Sequence, residues 1–161
     1  MRISTRVSTP LLVIVGAIAL FYFLSLSSKL EIPSEAVFEE KKSEIIEIYL
    51  EKTKVFADVV KTQSAIERGL SGRENLLSNH GMLFIFSTPD RYGFWMKEMK
   101  FPIDILWLSN DGSVMHTEEG VSPETYPQTF APKSGLARYV LELPAGYSRE
   151  HQVEIGDKID L

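Results

Sequence analysis

The stretch I-D-I-L-W-L, residues Ile103–Leu108, is followed by the turn N-D-G at 110–112 and by V-M-H-T-E-E-G-V at 114–121. A short, almost wholly apolar run that ends at Asn-Asp-Gly is typical of a buried strand entering a tight hairpin. The two runs therefore predict an antiparallel pair. Asp104 lies within the apolar run, so we expect its carboxylate to be buried and to need hydrogen bonds, an ionic partner or a proton.

Further segments with strand character lie on both sides of this hairpin. Residues 46–50 alternate between apolar and polar side chains and residues 55–60 continue the pattern, which favours a second hairpin. The apolar run at 82–86 and the segments at 136–143 and 153–161 predict three more strands.

One short helix and one long loop complete the predicted elements. Ser64 and Glu67 have the spacing of a capping box, and Gly69 can end a helix two turns long. Residues 122–135 contain three prolines, which lack N–H donors and so predict a loop. The pattern predicts a mainly β (α+β) fold, a small barrel or curled sheet of seven to eight short strands with one short helix, rather than alternating βαβ units.

Length and composition set limits on the class of protein. The chain has 161 residues, which fits one compact domain and an appendage. It has no cysteine, which excludes disulfides, thiol nucleophiles and Cys-ligated metal sites. Removing Arg2 and Arg6 from the 17 basic residues leaves 15 against 22 acidic residues, so the chain beyond residue 28 has a net charge of −7. We therefore expect no binding to nucleic acid.

The N-terminal part carries a membrane signal. Residues 11–28 are uncharged and apolar, and as a helix they would extend about 27 Å, enough to cross a bilayer with little tilt. Arg2 and Arg6 precede them, so we expect residues 1–10 in the cytoplasm and the C-terminal domain outside it. Residues 29–43 are expected to be a linker and residues 44–161 the folded domain. The alternative is a signal peptide that is cleaved, which would release a secreted domain.

Five sequence blocks occur in a recognisable order. They are R-G-L-S-G-R (68–73), G-M-L-F-I-F (81–86), G-F-W-M-K-E-M-K-F-P-I-D-I-L-W-L (93–108), Y-V-L-E-L-P-A-G (139–146) and I-G-D-K-I (155–159). In this order they resemble the family called domain of unknown function 192, over residues 46–161. The resemblance implies a compact, mainly β, exported or membrane-anchored domain, and it implies no activity. We expect structural roles for the following residues of these blocks: Gly69, Gly81, Pro102, Asp104, Glu142, Gly146, Gly156 and Asp157.

Two acidic residues lie inside predicted strands and are the candidates for catalysis. Asp104 and Glu142 could form a general acid/base pair, as in an envelope hydrolase that cleaves a saccharide or peptide. They could equally be structural residues, neutralised by Arg68, Arg73, Lys97 or Arg138. We favour the structural interpretation, because a buried acid alone is a weak indicator of catalysis.

A candidate ligand surface combines the turn at 68–73, the loop at 95–100 and the proline-rich loop around Tyr126. Its candidate binding residues are Arg68, Arg73, Trp95, Lys97 and Tyr126. Guanidinium groups suit anionic ligands, and exposed aromatic rings can stack on a sugar or a peptide. The alternatives are an arginine that holds the helix to Asp104 or Glu142, and aromatic rings that pack in the core, which we expect above all of Trp107.

The remaining signals for metals and cofactors are weak. Met96 and Met99 have a spacing that could suit copper(I), but methionine in apolar segments usually fills the core. We expect no cofactor. The sequence thus favours a membrane-anchored, extracytoplasmic, non-catalytic binding or accessory domain whose partner is a cell-envelope saccharide, peptide or protein. The alternatives are an envelope hydrolase, a copper(I)-binding protein and a scaffold for envelope partners.

Overall fold

The computed structural model describes residues 44–50 and 53–161 of the chain. The predicted cytoplasmic segment, membrane anchor and linker lie outside these residues. The elements, in chain order, are β1 (Glu44–Leu50), β2 (Thr53–Val60), α1 (Gln63–Arg68), β3 (His80–Asp90), β4 (Phe94–Trp95), β5 (Ile103–Leu108), β6 (Val114–Val121), a 3-10 turn (Pro123–Thr125), β7 (Thr129–Phe130), β8 (Ala137–Pro144), α2 (Tyr147–Glu150) and β9 (Ile159–Asp160). None of the helices in this part of the chain is long and apolar enough to cross a membrane.

Seven strands form one curled sheet in the order β6-β5-β8-β3-β2-β1-β9, and β4 pairs with β7 in a separate two-stranded sheet. The two ends of the large sheet are brought together beside the turn that joins β5 to β6. There, Val114 N donates to Asp157 O at 2.8 Å and Gly156 N donates to Val114 O at 2.8 Å. The prediction of a mainly β, curled sheet is therefore confirmed.

The sheet packs an apolar cluster against each of its faces. The first cluster consists of Ile48, Leu50, Val55, Ala57, Leu83, Leu106, Leu108, Val114, Leu141, Leu143, Tyr147 and Ile159. The second consists of Val60, Leu70, Met82, Phe84, Phe86, Met96, Ile103, Ile105, Trp107, Val121, Ala137 and Val140. All six residues of β5 are buried, because this strand lies between β6 and β8 and contributes alternate side chains to the two clusters. Asp104 is thus buried because it lies within this central, otherwise apolar strand.

The structure corrects several predicted elements. The N-cap of α1 is Thr62, whose hydroxyl accepts from Ala65 N at 3.3 Å, and not Ser64. Strand β3 continues past Pro89 to Asp90. The predicted strand 153–161 is reduced to β9, because the chain at 153–158 forms turns that close the sheet. A second short helix, α2, precedes these turns and was not predicted.

The connection through α1 differs in kind from the prediction. Strands β2 and β3 are parallel, and α1 lies in the segment that joins them. This is one βαβ-like crossover within a sheet whose other pairs are antiparallel. The helix is too short to give a clear helical period in the sequence, so the crossover could not be predicted from the pattern alone. It places α1 and the following turn over the second cluster.

Candidate functional site

A cavity of about 720 Å³ opens on the face of the sheet that carries the second cluster. It lies between α1 with the following turn, strand β3, and the segment that contains β4. The charged and aromatic side chains that line it are Lys61, Glu67, Arg68, Phe84, Phe86, Tyr92, Phe94, Trp95, Lys97 and Glu142. Its volume is within the range of cavities that bind small molecules.

Aromatic rings form one wall of the cavity. Phe84 and Phe86 are two residues apart on β3 and so project from the same face of the strand. Phe94 meets both edge to face, with ring centroids 4.8 Å from Phe84 and 6.5 Å from Phe86, and Tyr92 stacks on Phe86. Trp107 supports this wall from behind, since it is fully buried and its indole N–H donates to Tyr92 O at 2.8 Å.

The mouth of the cavity carries exposed aromatic groups. Trp95 is 51% exposed and meets Tyr126, itself 46% exposed, edge to face at 5.9 Å between ring centroids. The ammonium of Lys97 lies 6.0 Å from the Trp95 ring. Three of the predicted ligand-binding residues therefore lie together, with Tyr126 of the proline-rich loop in contact with a lining residue.

Hydrogen bonds tie the two sides of the cavity to each other. Ser71 Oγ donates to Lys97 O at 2.8 Å, and Gly72 N donates to Glu98 O at 3.0 Å. Gly69 ends α1 with φ 49° and ψ −132°, a conformation that side chains rarely adopt. A Cβ there would lie 3.4 Å from the Phe84 ring. The glycine thus lets the turn reverse directly above the aromatic wall.

Glu142 is the one deeply buried ionisable residue among the described residues of this lining. It is 5% exposed, and its Oε2 atom is buried with no hydrogen-bond partner among the described residues. Burial raises the pKa of Glu142 to about 8, although the positive charge of Arg73 acts to lower it. At neutral pH the carboxyl therefore holds its proton and offers a donor and an acceptor that the described residues leave partly unused.

The two arginines that flank the turn have different surroundings. Arg73 donates to Asp58 Oδ2 at 2.7 Å, and it pairs with neither Asp104 nor Glu142. Arg68 lines the cavity, and within residues 44–50 and 53–161 it has no acidic partner at ion-pair distance. The interpretation that Arg73 holds the helix to Glu142 or Asp104 through an ion pair is thus wrong. Its guanidinium group forms its ion pair with Asp58 instead.

Asp104 is completely buried, and its hydrogen-bond donors among the described residues are all backbone N–H groups. Its Oδ1 accepts from Gly120 N at 2.8 Å and from Gly146 N at 3.0 Å, and its Oδ2 accepts from Ser148 N at 2.8 Å. These donors belong to the end of β6 and to the turn that begins α2. The carboxylate therefore joins two parts of the chain that are distant in sequence.

The two candidate catalytic acids lie on opposite faces of the sheet. Asp104 pairs with Leu143 of β8, whereas Glu142 pairs with Ile105 of β5. Paired residues point to the same face, and successive residues alternate between faces. Leu143 belongs to the first cluster and Ile105 to the second. The structure therefore does not bring the two carboxyl groups together, and they cannot act on one bond as the predicted acid/base pair.

The other residues given structural roles lie at close approaches and chain ends. A Cβ on Gly81 would lie 2.9 Å from Glu142 O, so this position admits no side chain without a shift of the strand. Pro102 directly precedes β5. Gly156 and Asp157 take part in closing the sheet, and Asp157 Oδ2 also accepts from Glu154 N at 2.7 Å.

The two methionines considered for copper pack in apolar surroundings. Met96 is 1% exposed within the second cluster, and Met99 packs against that cluster at the cavity. Within the described part of the chain, no group of three or more His, Asp and Glu residues is placed to hold a metal ion. The structure therefore gives the methionines a packing role.

Sequence reasoning missed part of the lining. Glu67 and Lys61 project from α1 and the residues before it, and their importance follows only from the crossover that carries them over β3. Phe84 and Phe86 carried a usable signal, because aromatic residues with a spacing of two on a strand must share one face. That face lies over a cavity only because α1 and β4 leave a gap between them.

Comparison with known protein families identifies the family of this domain. Residues 45–161 match the family model DUF192, described as Uncharacterized ACR. The chain belongs to the DUF192 family. The match covers every strand of the DUF192 domain described above except the first residue of β1, and the family resemblance inferred from the five sequence blocks is confirmed. No curated protein matches the chain.

Solved structures support the fold of the DUF192 domain. A protein of unknown function from Novosphingobium aromaticivorans is similar with a TM-score of 0.71 and 24% identity, covering 78% of this chain and 91% of that chain. A protein from Sinorhizobium meliloti described as a candidate transcription regulator is similar with a TM-score of 0.67 and 26% identity, covering 73% of this chain and 92% of that chain. The first likeness shows the fold alone.

Proposed function

We propose that this DUF192 domain is a non-catalytic binding domain that takes the apolar or aromatic part of a small molecule into the cavity beneath Trp95. The observation that carries the proposal is a cavity of about 720 Å³ that combines an aromatic wall with a buried, incompletely hydrogen-bonded carboxyl group. Concave, mainly apolar sites with a few converging polar groups are the usual form of small-molecule sites.

Two observations favour binding over catalysis at this site. The first is that Asp104 lies on the other face of the sheet. The second is that Glu67, the other acid of the lining, is exposed and accepts a hydrogen bond from Gln63 Nε2 at 2.7 Å. A cavity with Glu142 as its single buried acid can orient a ligand, but it lacks the second positioned carboxyl of a glycoside hydrolase. The net charge of −7 beyond residue 28 is unfavourable for binding to DNA.

Replacing Trp95 by alanine tests this proposal. The proposed probes are 3-phenylpropionate, 3-(4-hydroxyphenyl)propionate and 3-(4-hydroxyphenyl)propylamine, which share a phenyl ring on a three-carbon chain. Their binding is to be measured with the full chain embedded in lipid nanodiscs. Trp95→Ala should weaken the tightest of the three about 10-fold, because an aromatic partner contributes about 0.5–1.5 kcal/mol beyond the area it buries. Isothermal titration calorimetry against empty nanodiscs measures the loss.

Trp95→Phe is the matched control and should retain most of the affinity, since a phenyl ring keeps an aromatic face at the mouth. Binding of none of the three molecules, or equal binding to wild type and Trp95→Ala, would contradict the proposed site. Binding of an oligosaccharide such as chitotriose, with no binding of the three probes, would contradict the proposed ligand and show that the cavity binds a saccharide of the envelope.

We also propose that residues 11–28 anchor the domain, with residues 1–10 in the cytoplasm and the binding cavity on the extracytoplasmic side. The uncharged run and the two preceding arginines support this orientation. Alkaline phosphatase fused after Leu161 should be active in intact cells and stay with the membrane fraction, whereas green fluorescent protein at the same place should be dark. Recovery of the active fusion in the medium would instead show that the leader is cleaved, and a fluorescent fusion would reverse the orientation.

A further inference from the structure

The cavity lining has a chemical polarity between its mouth and its floor. Arg68 and Lys97 are exposed cations without an acidic partner among the described residues. Lys61 adds a third positive charge, although it also pairs with Glu44 at 2.9 Å. Among the described residues that line the cavity, Glu67 is the single exposed acid. The mouth therefore has an excess of positive charge and favours an anionic group.

The floor has a different requirement. Glu142 lies on β8 between Met82 of β3 and Ile105 of β5, which are apolar and cannot bond its carboxyl through their side chains. A buried polar atom without a partner costs free energy that a ligand can recover by supplying the missing hydrogen bond. An entirely apolar ligand would leave Oε2 unpaired, so the structure favours a ligand with a hydroxyl or carbonyl group at its inner end.

We propose that the cavity selects an aromatic acid that carries a hydroxyl group at the end opposite its carboxylate. The carboxylate binds at the mouth to Arg68 and Lys97, the ring lies against Phe84, Phe86 and Phe94, and the hydroxyl bonds to Glu142. This inference rests on the proposed binding function and adds the class of ligand. It is a binding mode without a chemical step, and no proton or bond changes place.

The three probe molecules separate the elements of this proposal. For the wild-type chain in nanodiscs, 3-(4-hydroxyphenyl)propionate should bind about 10-fold more tightly than 3-phenylpropionate, the gain of about one hydrogen bond in a buried site. It should bind at least about 10-fold more tightly than 3-(4-hydroxyphenyl)propylamine, which carries the same ring and hydroxyl with a positive head group.

Two variants assign these preferences to their residues. Glu142→Leu should bind the two acids with equal affinity, because no polar group then remains at the floor. We expect this variant to fold, since leucine is among the residues most often found fully buried. Glu142→Gln should keep the preference for the hydroxyl. Arg68→Ala should weaken both acids about 10-fold and leave the amine unaffected or improved. Arg149→Ala is the matched control, because Arg149 is 82% exposed in its side chain and does not line the cavity.

The outcomes distinguish this inference from the function on which it rests. Tighter binding of the amine than of the acids, or a hydroxyl preference that persists in Glu142→Leu, would overturn the inference and leave a binding cavity of another specificity. An equal loss of acid binding in Arg149→Ala and Arg68→Ala would also overturn it, since the effect would then come from overall charge. Failure of all three molecules to bind would overturn the proposed function itself.

Discussion

Asp104→Ala should lower the free energy of unfolding by about 4 kcal/mol, because it removes the fully buried acceptor of three backbone N–H groups, one of them buried and two partly buried. A buried donor without an acceptor costs about 1–3 kcal/mol, a partly buried donor costs less because water can reach it, and charged acceptors make the stronger bonds. The donors belong to Gly120, Gly146 and Ser148, so the loss frees the end of β6 and the start of α2 together. Urea denaturation followed by circular dichroism measures the change.

Asp104→Asn separates hydrogen bonding from volume. The amide oxygen can still accept from Gly120 and Gly146, but the amide nitrogen then faces the N–H of Ser148, where two donors oppose each other. We expect about half of the alanine effect. Asp160→Ala is the control, since Asp160 is exposed on β9 and surface substitutions usually change stability by about 0.5 kcal/mol or less. A loss below about 1 kcal/mol in Asp104→Ala would show that the donors find other acceptors.

The second large effect is a dependence of stability on pH that originates in Glu142. Burial raises the pKa of its carboxyl to about 8 in the folded chain, from 4.5 for an ordinary glutamate. Between these two values the folded chain holds a proton that the unfolded chain has released. The contribution to stability is therefore complete below pH 4.5 and is lost as the pH rises to 8. The slope of that loss is about 1.4 kcal/mol per pH unit.

Several other charged groups share the face of the sheet on which Glu142 lies. Arg73 acts to lower its pKa, and Arg73 is itself paired with Asp58 at 2.7 Å. The strand register places Asp58 two strands away on one side and Glu118, which meets His116, two strands away on the other. Lys97 and Arg68 face it across the cavity. The contribution of Glu142 must therefore be isolated from theirs.

Glu142→Gln isolates it, because glutamine keeps the shape and cannot ionise. The difference in unfolding free energy between wild type and this variant should change by about 1.4 kcal/mol per unit between pH 5 and pH 8, with the variant becoming relatively more stable at the alkaline end. Glu67→Gln, an exposed acid of the same cavity, is the control and should run parallel to wild type. Parallel curves for Glu142→Gln would mean that Glu142 is ionised in the folded chain.

The sequence predicted the strand content because that information is local. The run Ile103–Leu108, the Asn-Asp-Gly turn and the alternation at 46–50 each specify a strand or a turn within a few residues. The burial of Asp104 follows from its neighbours in the same way, and so does the end of α1 at Gly69. The N-cap at Thr62 was misplaced, because Ser64 offered an equally good local signal and only the packed helix distinguishes them.

Local sequence patterns were thus sufficient to predict the mainly β character, the family and the burial of residues such as Asp104. The pairing and register of the strands depend instead on the folded domain. The folded domain places Asp104 and Glu142 on opposite faces of the sheet. It also pairs Arg73 with Asp58 in an ion pair and puts the rings of Trp95 and Tyr126 in contact. The physical reason is that alternation along one strand tells which of its own residues share a face, whereas contact between distant strands depends on loop closure and packing across the whole sheet.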